Sequence, residues 1–216
     1  MPALASSAAD VSVTMGNAPF TRTVIEEIGR IDGVDKVFGR MEQTDLSVSF
    51  GSEDGSITLI SYHDNKFKRT KDELNEGKIA PVQDNTDNVL VVYRDGMTWA
   101  VGDTITIHTS ADDKQVTIAG ILATTNAKNG AGSNGYMICS EQTFIDIAGD
   151  LGYTTVDVQL SKTGDDDTVS AIRNLFPADS SVSDKRLSNS EAQSSYYTGA
   201  IFIYGFLIII ALITVF

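Results

Sequence analysis

The residues that could do chemistry are few, and each belongs to a different pattern. Gly130-Ala131-Gly132-Ser133-Asn134-Gly135 has the spacing G-x-G-x-x-G, and an acid, Asp157, follows downstream. In a dinucleotide site that loop opens a helix, whose N-terminus holds the pyrophosphate. Here Tyr136–Ser140 reads as a strand, so the stretch reads as an exposed loop. Lys162-Thr163-Gly164 matches one β-lactamase triplet, without the S-x-x-K and S-D-N partners. Neither a G-x-S-x-G elbow nor a P-loop G-x-x-x-x-G-K-[ST] occurs. His63 and His108 are the only histidines and Cys139 the only cysteine, so no His/Cys cluster has metal-ligand spacing. His108 ends a strand and His63 lies in a polar turn beside Asp64; both read as solvated. Cys139 sits in an apolar strand and reads as an inert, buried thiol. The acids of residues 84–87 and Asp165-Asp166-Asp167 could hold a hard cation, but neither follows a calcium-loop pattern. A solvated loop and a helix cap account for them. Trp99, close to Met97, reads as core. No catalytic constellation, metal site or cofactor site emerges.

Composition narrows the classes further. With 42% hydrophobic and 21% charged residues, the chain can bury a core and is not disordered. Its 216 residues suit one or two domains. A net charge of −13 disfavours DNA, RNA and anionic headgroups as partners. A single cysteine excludes an internal disulfide and fits a Gram-positive exterior as well as a cytosol.

The elements that must position these residues follow from periodicity. Residues 10–14 alternate, with Val11 and Val13 on one side. Asn17 and Pro19 then signal a helix start, and Phe20, Val24, Ile25, Ile28 and Ile31 form one apolar stripe. Gly33 ends that helix, and residues 34–50 return as a strand. A second unit of the same kind follows much later. Thr155–Leu160 alternates, the three acids open a helix carrying Val169, Ile172, Leu175 and Phe176, Pro177 stops it, and residues 181–185 return. Between the units the chain is rich in strands: 57–62, 89–93, Thr104–His108, 116–122 and Tyr136–Ser140. The third and fourth of these read as a hairpin. Thr70-Lys71-Asp72-Glu73 is a capping-box pattern, and Ser140 caps a short helix that Gly149 ends.

The far end has another character. Residues 200–216 read AIFIYGFLIIIALITVF, without charge or proline. As a helix this run is roughly 26 Å long, close to a bilayer core. The expectation is a transmembrane helix cut short at Phe216. Ser188-Asn189-Ser190-Glu191 is a second capping box, and no strong breaker separates it from the apolar run. Tyr196, Tyr197 and Tyr204 lie where an interfacial aromatic belt would be. At the other end, MPALASSAAD has no apolar core. The expectation there is an added start codon, with an upstream helix removed.

A family resemblance rests on residues in the middle. Glu76-Gly77-Lys78-Ile79, then Asn88-Val89-Leu90-Val91-Val92, then Val101-Gly102-Asp103-Thr104-Ile105, then Val116-Thr117-Ile118-Ala119-Gly120-Ile121 stand in order. The series resembles the extracytoplasmic domain of MacB-like and FtsX-like ABC transporter permeases, with Lys78 in place of the usual Arg. Asp10-Val11, Gly33-Val34 and the terminal FLIIIALITVF fit the same pattern. The resemblance implies an α+β fold of two βαβ units in a porter-like subdomain, residues 1–45 and 153–187. A β-rich subdomain, residues 46–152, is inserted between them, and a stalk with the start of a transmembrane helix, residues 188–216, follows. It implies a non-catalytic domain on the extracellular face of a cell membrane, with a Gram-positive bacterium favoured. A cytoplasmic ABC ATPase subunit would drive it, and the full-length permease would be a dimer. The outer domain would pass ATP-driven movement to a peptide, lipoprotein or cell-wall hydrolase, with no nucleic acid and no cofactor involved. The residues expected to matter are mechanical: Ser188, Glu191, Tyr196 and Tyr197 of the stalk. The alternatives are a tail-anchored surface binding protein and a membrane sensor.

Overall fold

The computed structural model describes residues 9–63, 67, 73–84, 87–92, 98–123 and 135–186. Strand β1 (Val11–Thr14) leads to helix α1 (Val24–Gly29) and strand β2 (Val34–Arg40). Next come β3 (Glu42–Phe50), β4 (Glu53–Tyr62), β5 (Leu74–Gly77), the single-turn α2 (Ala80–Gln83) and β6 (Asn88–Val92). They are followed by β7 (Thr104–His108), β8 (Asp113–Leu122), β9 (Tyr136–Ser140) and α3 (Glu141–Ala148). The described part closes with β10 (Thr155–Leu160), α4 (Asp166–Asn174) and β11 (Ser181–Asp184). The stalk residues Ser188, Glu191, Tyr196 and Tyr197 and the apolar run lie outside the described residues. So do residues 130–134 of the glycine-rich loop and residues 70–72 of the first capping box. Among the described residues no helix is long and apolar enough to cross a membrane.

Strands from both ends of the chain share one antiparallel sheet, in the order β11-β1-β10-β2. Each helix-linked pair, β1-α1-β2 and β10-α4-β11, holds a strand of the other pair between its own two. This is the interleaved β-α-β-β-α-β arrangement. Val11, Val13, Val156 and Val158 are fully buried, in one core with Val24 and Ile28 of α1 and Val169 and Ile172 of α4. Asp165 caps α4. Its carboxylate accepts from the Thr168 N–H at 3.0 Å, and this bond holds the group below its ordinary titration range.

The remaining strands close on themselves. The sheet order is β5-β8-β6-β9-β4-β3-β7, and β7 pairs back onto β8. The ring β8-β6-β9-β4-β3-β7 is therefore a small barrel, with β5 attached to the far end of β8. One parity of each strand fills the larger core: Ile57 and Leu59, Val89 and Val91, Ile105 and Ile107, Val116 and Ile118. The opposite faces pack a second core, in which Ile79 and Val82, from the α2 turn, meet Leu90, Val92 and Ile138, joined by Leu122 after an irregularity in the β6–β8 register. β6 and β9 serve both cores, which is why their sequences read as nearly continuous apolar runs.

Two expectations are corrected. The first helix does not begin at Asn17 but at Val24. Asn17 instead gives its backbone and side-chain N–H groups to Asp179, at 2.9 and 2.8 Å. Phe20 bridges Tyr153 through two backbone bonds, and its ring meets Phe176 edge-on at 4.7 Å. These long-range contacts hold residues 16–20 out of the helix, through bends at 16–18 and the bridge at Phe20. Second, residues 34–50 are two strands in different sheets, parted at Met41. β5 and α2, by contrast, carry too little periodicity to be read from sequence; α2 is one turn with Pro81 near its start.

Gly77 fixes the edge formed by β5. Its φ is +86°, and a Cβ there would overlap the carbonyl of Ala119. Gly77→Ala is expected to cost about 1–3 kcal/mol. An unchanged urea midpoint would show that this edge gives way freely.

Candidate functional site

The four-stranded sheet has two differently occupied ends. At one end β1 begins opposite the end of β11, with Val11 paired to Asp184. The Lys185 N–H donates to the Asp10 carbonyl at 2.7 Å. The Asp10 carboxylate accepts from the Leu160 N–H at 2.9 Å. The described chain thus enters and leaves side by side. At the opposite end lie Thr14, Ser181, Thr155 and Arg40, where the chain crosses to and from the barrel. Anything attached beyond residues 9 and 186 pulls on the root end, and the barrel rides on the other.

Arg186 is the last described residue, and it is clamped. Its Nη2 donates to Asp184 Oδ2 and to Asp166 Oδ1, both at 2.6 Å, and its Nε donates to Asp184 Oδ1 at 3.0 Å. Its backbone N–H also reaches Asp184 Oδ1, at 3.1 Å. The bond from Arg186 holds the Asp184 carboxyl below its ordinary range, and the same carboxylate raises the guanidinium. The clamp ties the chain, just before the expected stalk, to strand β11 and to the first turn of α4. Sequence reading took Asp166 as part of a helix start and passed over Asp184 and Arg186, because Arg186 and Asp166 lie on separate elements. The available signal was a lone arginine directly before the capping box at Ser188 in an acidic chain.

The other residues weighed from sequence fall as follows. Cys139 is fully buried on β9, and burial pushes its thiol up. Trp99 is half-buried against Phe50, with ring centroids 6.3 Å apart. Lys162, Thr163 and Gly164 form a turn in which the Ser161 hydroxyl accepts from the Thr163 N–H and its carbonyl from the Gly164 N–H. Among the described residues no group of three or more His, Cys, Asp or Glu could hold a metal ion. His63 lies past β4, its ring 6.5 Å from that of Phe38.

His108 is not simply solvated. Its Nε2 lies 2.8 Å from Ser49 Oγ, and its Nδ1 lies 2.8 Å from Asp113 Oδ1. With the Nδ1 proton directed at Asp113, Nε2 accepts from the serine, which is the order of nucleophile, base and orienting acid. Acyl transfer also needs free N–H donors around the developing oxyanion. Ser49 lies in β3 between β4 and β7, within ladders on both sides. The His108 and Asp113 side chains are 39% and 63% exposed, so water competes at each bond. The relay is a cross-strand lock on the outside of the barrel. Its three members come from three strands, which spacing along the chain does not reveal.

Asp184 gives the root a pH signature. A depressed folded pKa stabilises the fold above the ordinary value of 3.8, and that contribution is lost as pH falls through the folded value. Arg186→Ala is expected to return the Asp184 titration towards 3.8 and to flatten the acid limb of stability. The loss at neutral pH should stay within about 1 kcal/mol, since the cluster is partly solvated. Carboxyl chemical shifts followed against pH measure the first effect; an unmoved Asp184 curve in the variant would refute the clamp.

No family model matches the sequence, and no curated protein matches it. Solved structures do. The chain is similar to the periplasmic region of MacB from Actinobacillus actinomycetemcomitans, with a TM-score of 0.61 at 10% identity over 85% of this chain and 92% of that one. It is similar to the extracellular domain of the noncanonic ABC-type transporter YknZ from Gram-positive bacteria, with a TM-score of 0.57 at 15% identity over 80% and 98%. A domain of a protein described as a permease, from Porphyromonas gingivalis, gives a TM-score of 0.54 at 13% identity over 81% and 88%. The interleaved sheet and the barrel together therefore make the fold found in extracytoplasmic domains of MacB-like ABC transporter permeases.

Proposed function

We propose that this chain is the extracytoplasmic domain of an ABC transporter permease, a non-catalytic part that turns ATP-driven movement into work outside the membrane. The observation that carries this reading is the root: entry and exit of the domain are hydrogen-bonded neighbours at one end of the sheet. A domain set between two membrane helices needs its ends placed so, and both helices then move it from one point. The acidic surface suits an aqueous face rather than anionic headgroups or nucleic acid.

In this reading residues 1–45 and 153–187 are the porter-like subdomain, and residues 46–152 are the inserted β-rich one. Residues 188–216 are a stalk running into a transmembrane helix. Ser188 and Glu191 start that helix, and Tyr196 and Tyr197 mark the membrane surface. A cytoplasmic ABC ATPase subunit closes and opens a permease dimer, and the outer domains move with it. The object moved is a peptide, a lipoprotein or a cell-wall hydrolase on the extracellular face of a bacterium.

The gene around this sequence tests the reading. One apolar segment is expected before residue 1 and two more after residue 216, with an ATPase gene alongside. A stop codon shortly after residue 216 would point to a tail-anchored binding protein instead, and a soluble domain there to a sensor. A second test is mechanical. Inserting Gly-Gly beside Tyr197 should abolish transport-coupled activity in the full-length protein while leaving the domain folded; retained activity would remove the stalk from the mechanism.

A further inference from the structure

Movement entering at the root does work at the barrel only if the joint between the two sheets does not flex. The chain crosses that joint twice, and both crossings are held. On the way out there is one residue, Met41, fully buried. Its N–H donates to Ser61 Oγ at 2.9 Å, and its carbonyl accepts from the Ser61 N–H at 3.0 Å. On the way back, Thr154 gives both its N–H and its hydroxyl to the Arg40 carbonyl, at 2.9 and 3.0 Å. The two crossings are therefore bonded to each other.

Tyr153 stands at the centre. Its backbone bridges Phe20 in both directions. Its ring lies so close over Gly39 of β2 that a Cβ at that glycine would overlap it. Its hydroxyl donates to Glu141 Oε1 at 2.8 Å, across to the first residue of α3. The other oxygen of that carboxylate accepts from Arg22 at 3.1 Å, and Arg22 comes from the segment before α1. Burial first, and then the bond to Glu141, push the Tyr153 hydroxyl up to about 12, so it stays a donor throughout the physiological range. Beneath this chain of bonds the apolar cores of sheet and barrel are one continuous cluster.

We infer that Tyr153, Glu141 and Arg22 form a latch that makes the four-stranded sheet and the barrel one rigid body. The inference rests on the mechanical reading above and adds where its stiffness resides. The latch works by shape and charge together. Gly39 lets the ring seat, Glu141 fixes its far end, and Arg22 neutralises the carboxylate that would otherwise face a poorly solvated hydroxyl. A flexible joint would need neither the missing side chain at Gly39 nor a bidentate acceptor at the helix start.

The test is the distance between spin labels on Ser183→Cys, on β11, and Ser52→Cys, at the barrel tip, in the full chain in detergent. Both positions are exposed, and buried Cys139 stays unlabelled. Unchanged protection of Cys139 from thiol reagents certifies a folded barrel in every variant. The expected result is a single narrow distance that broadens or splits with Tyr153→Phe combined with Glu141→Gln. Gly39→Val, which pushes the ring from its seat, should give the same loosening by a different route. A broad distribution in the unaltered chain, or a narrow one in the folded double variant, would overturn the latch. Neither outcome depends on an ATPase or on the gene's context, so the latch and the transporter reading can fail separately.

Discussion

Met41 stands alone between two sheets, and the whole arrangement depends on how that residue passes the chain across. With one residue available, β2 and β3 cannot be separated by a loop. The direction of β2 therefore sets the direction in which β3 enters the barrel. Burial of the methionine side chain supplies apolar free energy at the crossing, and Ser61 satisfies both of its backbone groups, so the turn has no unpaired polar group. The return strand is placed next to it by Thr154, and the sheet of four is assembled around those two fixed crossings. The opposite end of the sheet, left free of the barrel, is where the chain ends emerge.

Much of this was legible in the residues. The spans of β7 and β10 follow from alternation, and that of β9 from a short apolar run ending at the Ser140 cap. Ser140 caps α3 by accepting from the Thr143 N–H at 3.1 Å, and Asp165 caps α4, both in the positions the sequence marks. What stayed hidden depends on distant partners. The irregular course of residues 15–23 is tied to Tyr153, Phe176 and Asp179, none of which is near in sequence. The β7–β8 hairpin was legible, but barrel closure also rests on β3 pairing with β7 and on β4 and β6 pairing with β9, and no local pattern encodes those. The clamp at Arg186 and the relay at Ser49, His108 and Asp113 were missed for the same reason.

Two arginines are held by carboxylates where the described chain is most constrained: Arg186 by Asp184 and Asp166 at the root, and Arg22 by Glu141 at the joint. In a chain with 29 acidic and 16 basic residues, each cation has acids to choose among. Where an arginine is held by two carboxylates, its position is over-determined by geometry, and that is more telling than the modest energy of any one pair.

The pairing of β1 also sets an order of assembly. Ser12 of β1 bonds Asp157, 145 residues later, so the first strand made waits for the last part of the described chain. Everything between, from Glu42 to Ala148, forms the barrel and its short helices and can fold while β1 is still without a partner. A chain emerging N-terminus first would thus expose the valines of β1 throughout barrel folding. The strand is only four residues long and alternates its valines with Ser12 and Thr14, which limits the sticky edge it offers during that wait. Completion of the small sheet then marks the moment when the whole domain has been synthesised.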